Sequence, residues 1–339
     1  MSSNMLSSWI EGHKLQAPTM QDAPAFFRNI EEKLDVRRAN HSFWSDTWKD
    51  RDALDFSSND TLSLDFASGG ARSLPDGRYI YLEKVEQEIA GFHGAECGLI
   101  LGSGFEANVA IYTSIPQAGD IILYDELVHA SVHDGMQKGR ADKISFHHNN
   151  VESFREALLS ALGQPLIQEK ERSVFVAVES VYSMEGDICP LKELFEAAKD
   201  VLDNVYFFVD EAHGTGVIGP NGSGLVNALG LEKEVAVRLH TFSKVLGANG
   251  AIVLGKKTIR DALITLARPV FFSTAPSFPF VALIRSGYKL LISGETKTRQ
   301  DHVQHLVKMF FKKITSNPAY QKAVEMGILS VPLTEGWNE

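Results

Sequence analysis

Short apolar runs alternate with stretches of helical periodicity along most of the chain. Tyr206-Phe207-Phe208-Val209 is too apolar for a surface and rich in β-formers, so it predicts a buried strand. Similar runs at 97–101, 121–124, 143–146, 174–178, 235–241 and 251–254 predict further strands. Between them, residues 151–162 and 191–202 carry helical patterns, and a further helix is expected over 281–292. Residues 78–93 predict a helix with Leu82, Val85, Ile89 and Phe92 on one apolar face and Glu83, Glu86 and Glu88 on a solvated one. Strands alternating with helices imply an α/β fold, a mostly parallel sheet with helices on both faces.

The two ends of the chain read differently. Residues 1–53 are polar and mixed, with one helix expected over 26–38 through Phe27, Ile30 and Leu34, and form an N-terminal arm packing on the body or on a second subunit. A short strand entering a turn is expected over 54–60, and a glycine- and proline-rich loop over 65–77. A large domain then spans 54–275. Strand alternation stops near Thr274, so residues 276–339 are expected to begin a smaller lobe.

Composition narrows the function classes. The 339 residues are 44% hydrophobic and 22% charged, ordinary for a soluble enzyme of one large domain and a lobe. A net charge of −10, from 33 basic against 43 acidic residues, argues against a nucleic-acid binder. Two cysteines, Cys97 and Cys189, are too few for a disulfide framework; both are expected to be buried thiols in a reducing compartment. No apolar run reaches a membrane span, and the start lacks the basic and apolar regions of a secretory signal, so the expectation is cytoplasmic, with no membrane role.

The chemistry gathers at predicted strand ends. Asp210-Glu211-Ala212-His213-Gly214-Thr215-Gly216 follows the strand at 206–209, and Thr241-Phe242-Ser243-Lys244 follows that at 235–241. Open α/β sheets place ligands at such carboxyl ends. A carboxylate at one strand end and a lysine after another suit pyridoxal phosphate: lysine binds the aldehyde, and the carboxylate keeps the pyridine nitrogen protonated. Gly102-Ser103-Gly104-Phe105, between a strand and a helix, can bring backbone N–H groups and a helix dipole to an anion, although a tight turn fits it equally. His129 fits either a stack on an aromatic cofactor or a helix start, and His133 is expected to be solvated. Asp125 and His129 lack a third ligand, so no metal is expected. His147 and His148 read as incidental, and Ser183 as the best ligand-contact candidate in the polar stretch after 174–178, which a plain polar turn fits equally.

These segments, taken in order, carry a resemblance. Asn59-Asp60, Phe92-His93-Gly94-Ala95, Ser103-Gly104-Phe105-Glu106-Ala107-Asn108, His129-Ala130-Ser131, Ser183-Met184-Glu185-Gly186-Asp187, the Asp210 and Lys244 segments and Phe272-Ser273-Thr274 resemble the α-oxoamine synthases, most of all their 8-amino-7-oxononanoate synthase branch. The resemblance covers roughly residues 54–290 and implies the fold-type I pyridoxal-phosphate transferase architecture, as a homodimer with sites at the subunit interface. It implies Lys244 as the Schiff-base lysine, Asp210 on the pyridine nitrogen, His213 on the phenolic oxygen with Ser183 close by, and His129 stacked on the ring. Gly104, Phe105 and Thr241 would bind phosphate, Ser273 and Thr274 the neighbouring subunit's phosphate, and Asn59 the substrate carboxylate.

The activity implied is condensation of an amino acid with an acyl-CoA, or carrier-bound acyl, thioester, with decarboxylation to an α-amino ketone, as in biotin biosynthesis. Against the family pattern the chain is shorter between Leu64 and Gly69 and has Leu82 where a histidine is usual. It stops at Glu339, ahead of an arginine that clamps the substrate carboxylate, so a truncated small C-terminal domain is expected. The alternatives are an aminotransferase on the same fold, and a degenerate non-catalytic subunit, which the presence of Lys244 disfavours.

Overall fold

The structure is a computed structural model and describes residues 3–43 and 80–328. Asn59, the expected strand over 54–60 and the loop over 65–77 lie outside the described residues. Helices α1 (Ser3–Gly12) and α2 (Ala25–Ala39) lead into the body, followed by α3 (Ile80–Phe92), β1 (Cys97–Leu101) and α4 (Gly104–Ser114). Next come β2 (Ile121–Asp125), α5 (Ala130–Lys138), β3 (Asp142–Phe146), α6 (Val151–Leu162), α7 (Pro165–Gln168), β4 (Val174–Glu179) and α8 (Leu191–Val201). The order continues with β5 (Val205–Asp210), α9 (Leu225–Ala228), β6 (Val237–Thr241), β7 (Ala251–Gly255), α10 (Lys257–Leu266) and α11 (Arg268–Phe271). Three helices, α12 (Phe278–Ile292), α13 (Lys297–Thr315) and α14 (Pro318–Glu325), close the described chain.

The strands among the described residues form a single seven-stranded sheet in the order β1-β7-β6-β5-β4-β2-β3. Pairing is parallel from β3 through β2, β4 and β5 to β6, and β7 runs antiparallel to both β6 and β1. Strands buried on both faces read as continuous apolar runs, which is why β4 and the last four residues of β5 are buried throughout. The expected strand start at Val235 moves to Val237, because the Val235 N–H is taken by the Leu231 carbonyl in the preceding turn.

Helix α2 packs on the body of the same chain, the first of the two expected placements. Its Phe26, Phe27, Ile30 and Leu34 are buried in the main core, with Phe26 against Phe175 and Tyr206. A second core lies on the other side, where Leu82, Val85 and Ile89 of α3 meet Phe242 and the Val281, Ile284 and Tyr288 face of α12. Leu82 is thus a packing residue.

Several expectations fail for identifiable reasons. Glu86 is buried: its carboxylate accepts from the Ile100 N–H at 2.8 Å and faces Arg260 at 3.8 Å. Charge alone does not reveal that an edge strand presents an N–H to that helix face. Cys97 is only half-buried, whereas Cys189 is buried. His148 is not incidental: β3 ends at Phe146, and the next turn drives the His148 ring between Asp125 and Asp187, at 2.9 Å from each.

Candidate active site

The parallel strands β4, β5 and β6 end on the same edge of the sheet, and there they deliver Glu179, Asp210 and Thr241. A cavity of ≈ 250 Å³ opens over these ends. Its walls include Gly104, Phe105, His129, Asp210, His213, Thr241 and Lys244, seven residues expected from sequence. Ser183, Ser273 and Thr274 are not among its lining residues. Ser183 is exposed in the turn after β4, and the Ser273 hydroxyl donates to Glu106 of the same chain at 2.9 Å.

Each side chain is held by its local chain. Asp210 ends β5 almost fully buried; its Oδ1 accepts from the Ala212 N–H at 2.9 Å and its Oδ2 from Asn108 at 2.8 Å. Burial pushes its carboxyl above the usual range, opposed by those two bonds and by His129 and Lys244. Across the ladder, Glu179 stands in register with Asp210. Burial and then the Asp210 charge push Glu179 up to about 8, while the His129 N–H, 2.6 Å from its Oε1, pulls the other way.

Lys244 is exposed in the loop from β6 to β7. Buried Phe242 anchors that loop in the second core, and the Phe242 N–H bonds the Gly250 carbonyl at 2.9 Å. His213 is half-buried, and burial, followed by Lys244 and His129, lowers its pKa. The segment carrying it is shaped by Glu211, whose buried carboxylate accepts from the Leu225 and Val226 N–H groups at the start of α9. A Cβ on Gly214 would lie 2.5 Å from that carboxylate and 2.7 Å from the Ser180 hydroxyl, so only glycine fits.

Helix α4 presents its amino end to the cavity. Ser103 caps it by accepting from the Glu106 N–H at 3.1 Å. Gly104 stands beside Thr241, the position of a Cβ there being 3.5 Å from the Thr241 hydroxyl, so the first N–H groups of α4 and that hydroxyl can face one anion. A phosphorylated aromatic aldehyde fits this set: an anion cradle at one end, a buried carboxylate, and a lysine at the rim.

Asn108, Ser131 and Glu179 also line the cavity, although the sequence reading gave them no role. Asn108 was findable, since it stands four residues after Gly104 on the same face of α4. Asp125 is turned away from His129 and engaged with His148. Among the described residues no group of three or more His, Cys, Asp or Glu could hold a metal ion. A larger cavity of ≈ 680 Å³ lies between α1, α2 and α10, but its Glu31 and Arg38 are paired with each other and no strand end reaches it.

Comparison with known proteins agrees with this geometry. A family model described as aminotransferase class I and II matches residues 69–333. The chain belongs to that family. Within it, the chain falls among the α-oxoamine synthases. It is 52% identical to an aminoacyl transferase sphA of Byssochlamys spectabilis, over 97% of this chain and 76% of the relative. It is 46% identical to an 8-amino-7-oxononanoate synthase of Emericella nidulans, over 76% and 68%. Among solved structures, serine palmitoyltransferase of S. paucimobilis with a bound PLP–myriocin aldimine superposes with a TM-score of 0.67 at 29% identity, covering 75% of this chain and 63% of that one. The 8-amino-7-oxononanoate synthase of Francisella tularensis gives 0.60 at 26%, covering 78% and 76%. The architecture is therefore that of the pyridoxal-phosphate-dependent transferases, and the chain spans less than two thirds of the serine palmitoyltransferase it matches.

Proposed function

We propose that this chain binds pyridoxal 5′-phosphate in the cavity over β4, β5 and β6, and uses it to condense an amino acid with an acyl thioester. The observation that carries the reading is the convergence of Lys244, Asp210, His129, His213 and the amino end of α4 on one cavity. When bound, the cofactor supplies an electron sink for negative charge at the amino-acid α-carbon.

The residues divide the remaining work. The α4 N–H groups of Gly104 and Phe105, with the Thr241 hydroxyl, bind the phosphate. Asp210 holds a proton on the pyridine nitrogen, and its burial strengthens that interaction. His129 would stack on the ring, and His213, its pKa lowered, would donate one N–H to the phenolic oxygen. Lys244 would hold the aldehyde, and its amine is the group placed to move the α-proton. Asn59 would meet the substrate carboxylate; Ser183, exposed outside the cavity, would have to turn in to approach the phenolic oxygen, and Ser273 would have to leave Glu106 to reach, with Thr274, the phosphate of a second copy in a homodimer.

The second substrate is an acyl-CoA or carrier-bound acyl thioester, and the product an α-amino ketone formed with loss of carbon dioxide and free thiol. An activity like that of 8-amino-7-oxononanoate synthase is the specific form proposed, in a cytoplasmic pathway such as biotin biosynthesis. It is tested by following free thiol when an amino acid is added to protein, cofactor and acyl-CoA. Thiol release without a keto acid supports the synthase; amino-group transfer that requires a keto acid contradicts it.

A further inference from the structure

The cavity is bounded by a run of hydrogen bonds that passes through a residue with no assigned role. Asn108, 3% exposed on α4, uses the two hydrogens of its Nδ2 in two directions. One goes to Asp210 Oδ2 at 2.8 Å, the other to Ser131 Oγ at 3.0 Å. Ser131 Oγ lies 2.7 Å from His129 Nδ1. Ser131 also donates its backbone N–H to that nitrogen at 3.2 Å, and His129 thereby caps α5. The His129 N–H in turn donates to Glu179 Oε1 at 2.6 Å.

The directions of these bonds follow from chemistry. A primary amide nitrogen only donates, so Ser131 Oγ accepts from Asn108 and has its own hydrogen left to give. A backbone N–H only donates, so His129 Nδ1 is an acceptor. The ring proton therefore sits on Nε2.

We infer that Asn108 is a positioning residue that couples the two cofactor-facing groups, holding the Asp210 carboxylate in place while turning the Ser131 hydroxyl onto His129 Nδ1, where it reinforces the Nε2–H tautomer that the Ser131 backbone N–H already selects. The planar fork of one carboxamide suits this because its two hydrogens diverge at a fixed angle. A serine or an aspartate at 108 could serve one arm at most. The inference rests on the cofactor reading for its purpose, although the tautomer exists with or without cofactor.

The test separates the two. Imidazole nitrogen NMR of the cofactor-free chain, with the His129 signals assigned by His129→Asn, is expected to show the proton on Nε2. A proton on Nδ1, or on both nitrogens at neutral pH, overturns the inference even if cofactor binds. In the second arm, Asn108→Ala is expected to weaken pyridoxal phosphate binding by about 10- to 100-fold, the range for losing a hydrogen bond to a charged group. It should also shift the His129 Nδ1 signal as the Ser131 hydroxyl is freed to turn, the proton staying on Nε2, whereas Ser131→Ala should shift the same signal with a smaller effect on binding. An Asn108→Ala protein that melts earlier but keeps wild-type affinity and wild-type His129 signals contradicts the inference, since that pattern is packing alone. Should Asn108→Ala fail to fold, Asn108→Ser, which can serve one arm at most, is read in the same two assays, and wild-type affinity with wild-type His129 signals overturns the inference. Failure of wild type to bind pyridoxal phosphate would sink the cofactor reading and leave the tautomer result to stand separately.

Discussion

Glu179 and Asp210 are like charges held side by side at two strand ends, and their strain is measurable. Folding raises Glu179 from 4.5 to about 8, so its charged form is disfavoured in the fold. A raised carboxyl contributes stability below its unfolded value and loses it as pH rises through the folded one. In the cofactor-free chain, Glu179→Gln should therefore melt above wild type near pH 8, with the difference vanishing toward pH 4.5. A variant melting lower at every pH would show that the charge is already compensated. At this scale the sequence was legible where a residue type has few other reasons to stand where it does. Lys244 after an apolar strand and Asp210 at a strand end were of that kind. Glu179, Asn108 and His148 were not, because their roles depend on partners 50 to 102 residues and 23 to 39 residues away, which only the folded chain brings together.

Turns on the strand-end side are tied by polar contacts that can be broken one at a time. Burial draws the His148 pKa down, but the bonds and charges of Asp125 and Asp187 outweigh it and raise it overall. Glu126 also accepts from the His148 backbone N–H, and the Tyr182 ring packs edge-on against the imidazole. Charged His148 thus joins the end of β2 to the turn after β4. With a raised folded pKa, its contribution is full below the ordinary histidine value of 6.5 and is lost as pH rises through the folded value. His148→Gln should cost about 1–2 kcal/mol at mildly acidic pH, since the ring is partly exposed, and less above that window. Chemical denaturation across pH measures it, and a cost independent of pH would contradict the ionic reading. Packing sets a larger scale. Phe207 of β5 stacks on Phe195 of α8 with ring centres 3.8 Å apart, so Phe207→Ala should cost about 3–5 kcal/mol in the same assay. The elements themselves were readable because their periodicity was clean: 151–162 coincides with α6, and 97–101 with β1. Ends shifted where a turn competed for a backbone N–H, as at Val235.

At the scale of the molecule, the helices that follow the sheet leave apolar side chains in the open. Phe280, Leu283, Leu290 and Ile292 on α12, and Leu306 and Phe310 on α13, are all more than 40% exposed. Exposed apolar side chains on two successive helices are where a second copy could pack in the proposed homodimer. On the proposed homodimer, light scattering after size exclusion should give twice the chain mass, and a monomer at every concentration would contradict it. No helix among the described residues is long and apolar enough to cross a membrane. The fold was legible because alternation of strands and helices admits few parallel-sheet arrangements. The reversal of β7 was not, since residue composition carries no sign of strand direction. What joins the scales is the claim that Lys244 and Asp210 serve one bound cofactor. The most direct measurement is the absorption spectrum of the purified chain during titration with pyridoxal phosphate, for wild type and Lys244→Ala, followed by alanine, glycine and serine. Wild type should develop a saturable visible band that one of the amino acids perturbs, and Lys244→Ala should develop none. A wild-type chain without such a band, or a Lys244→Ala chain that keeps it, would contradict the account.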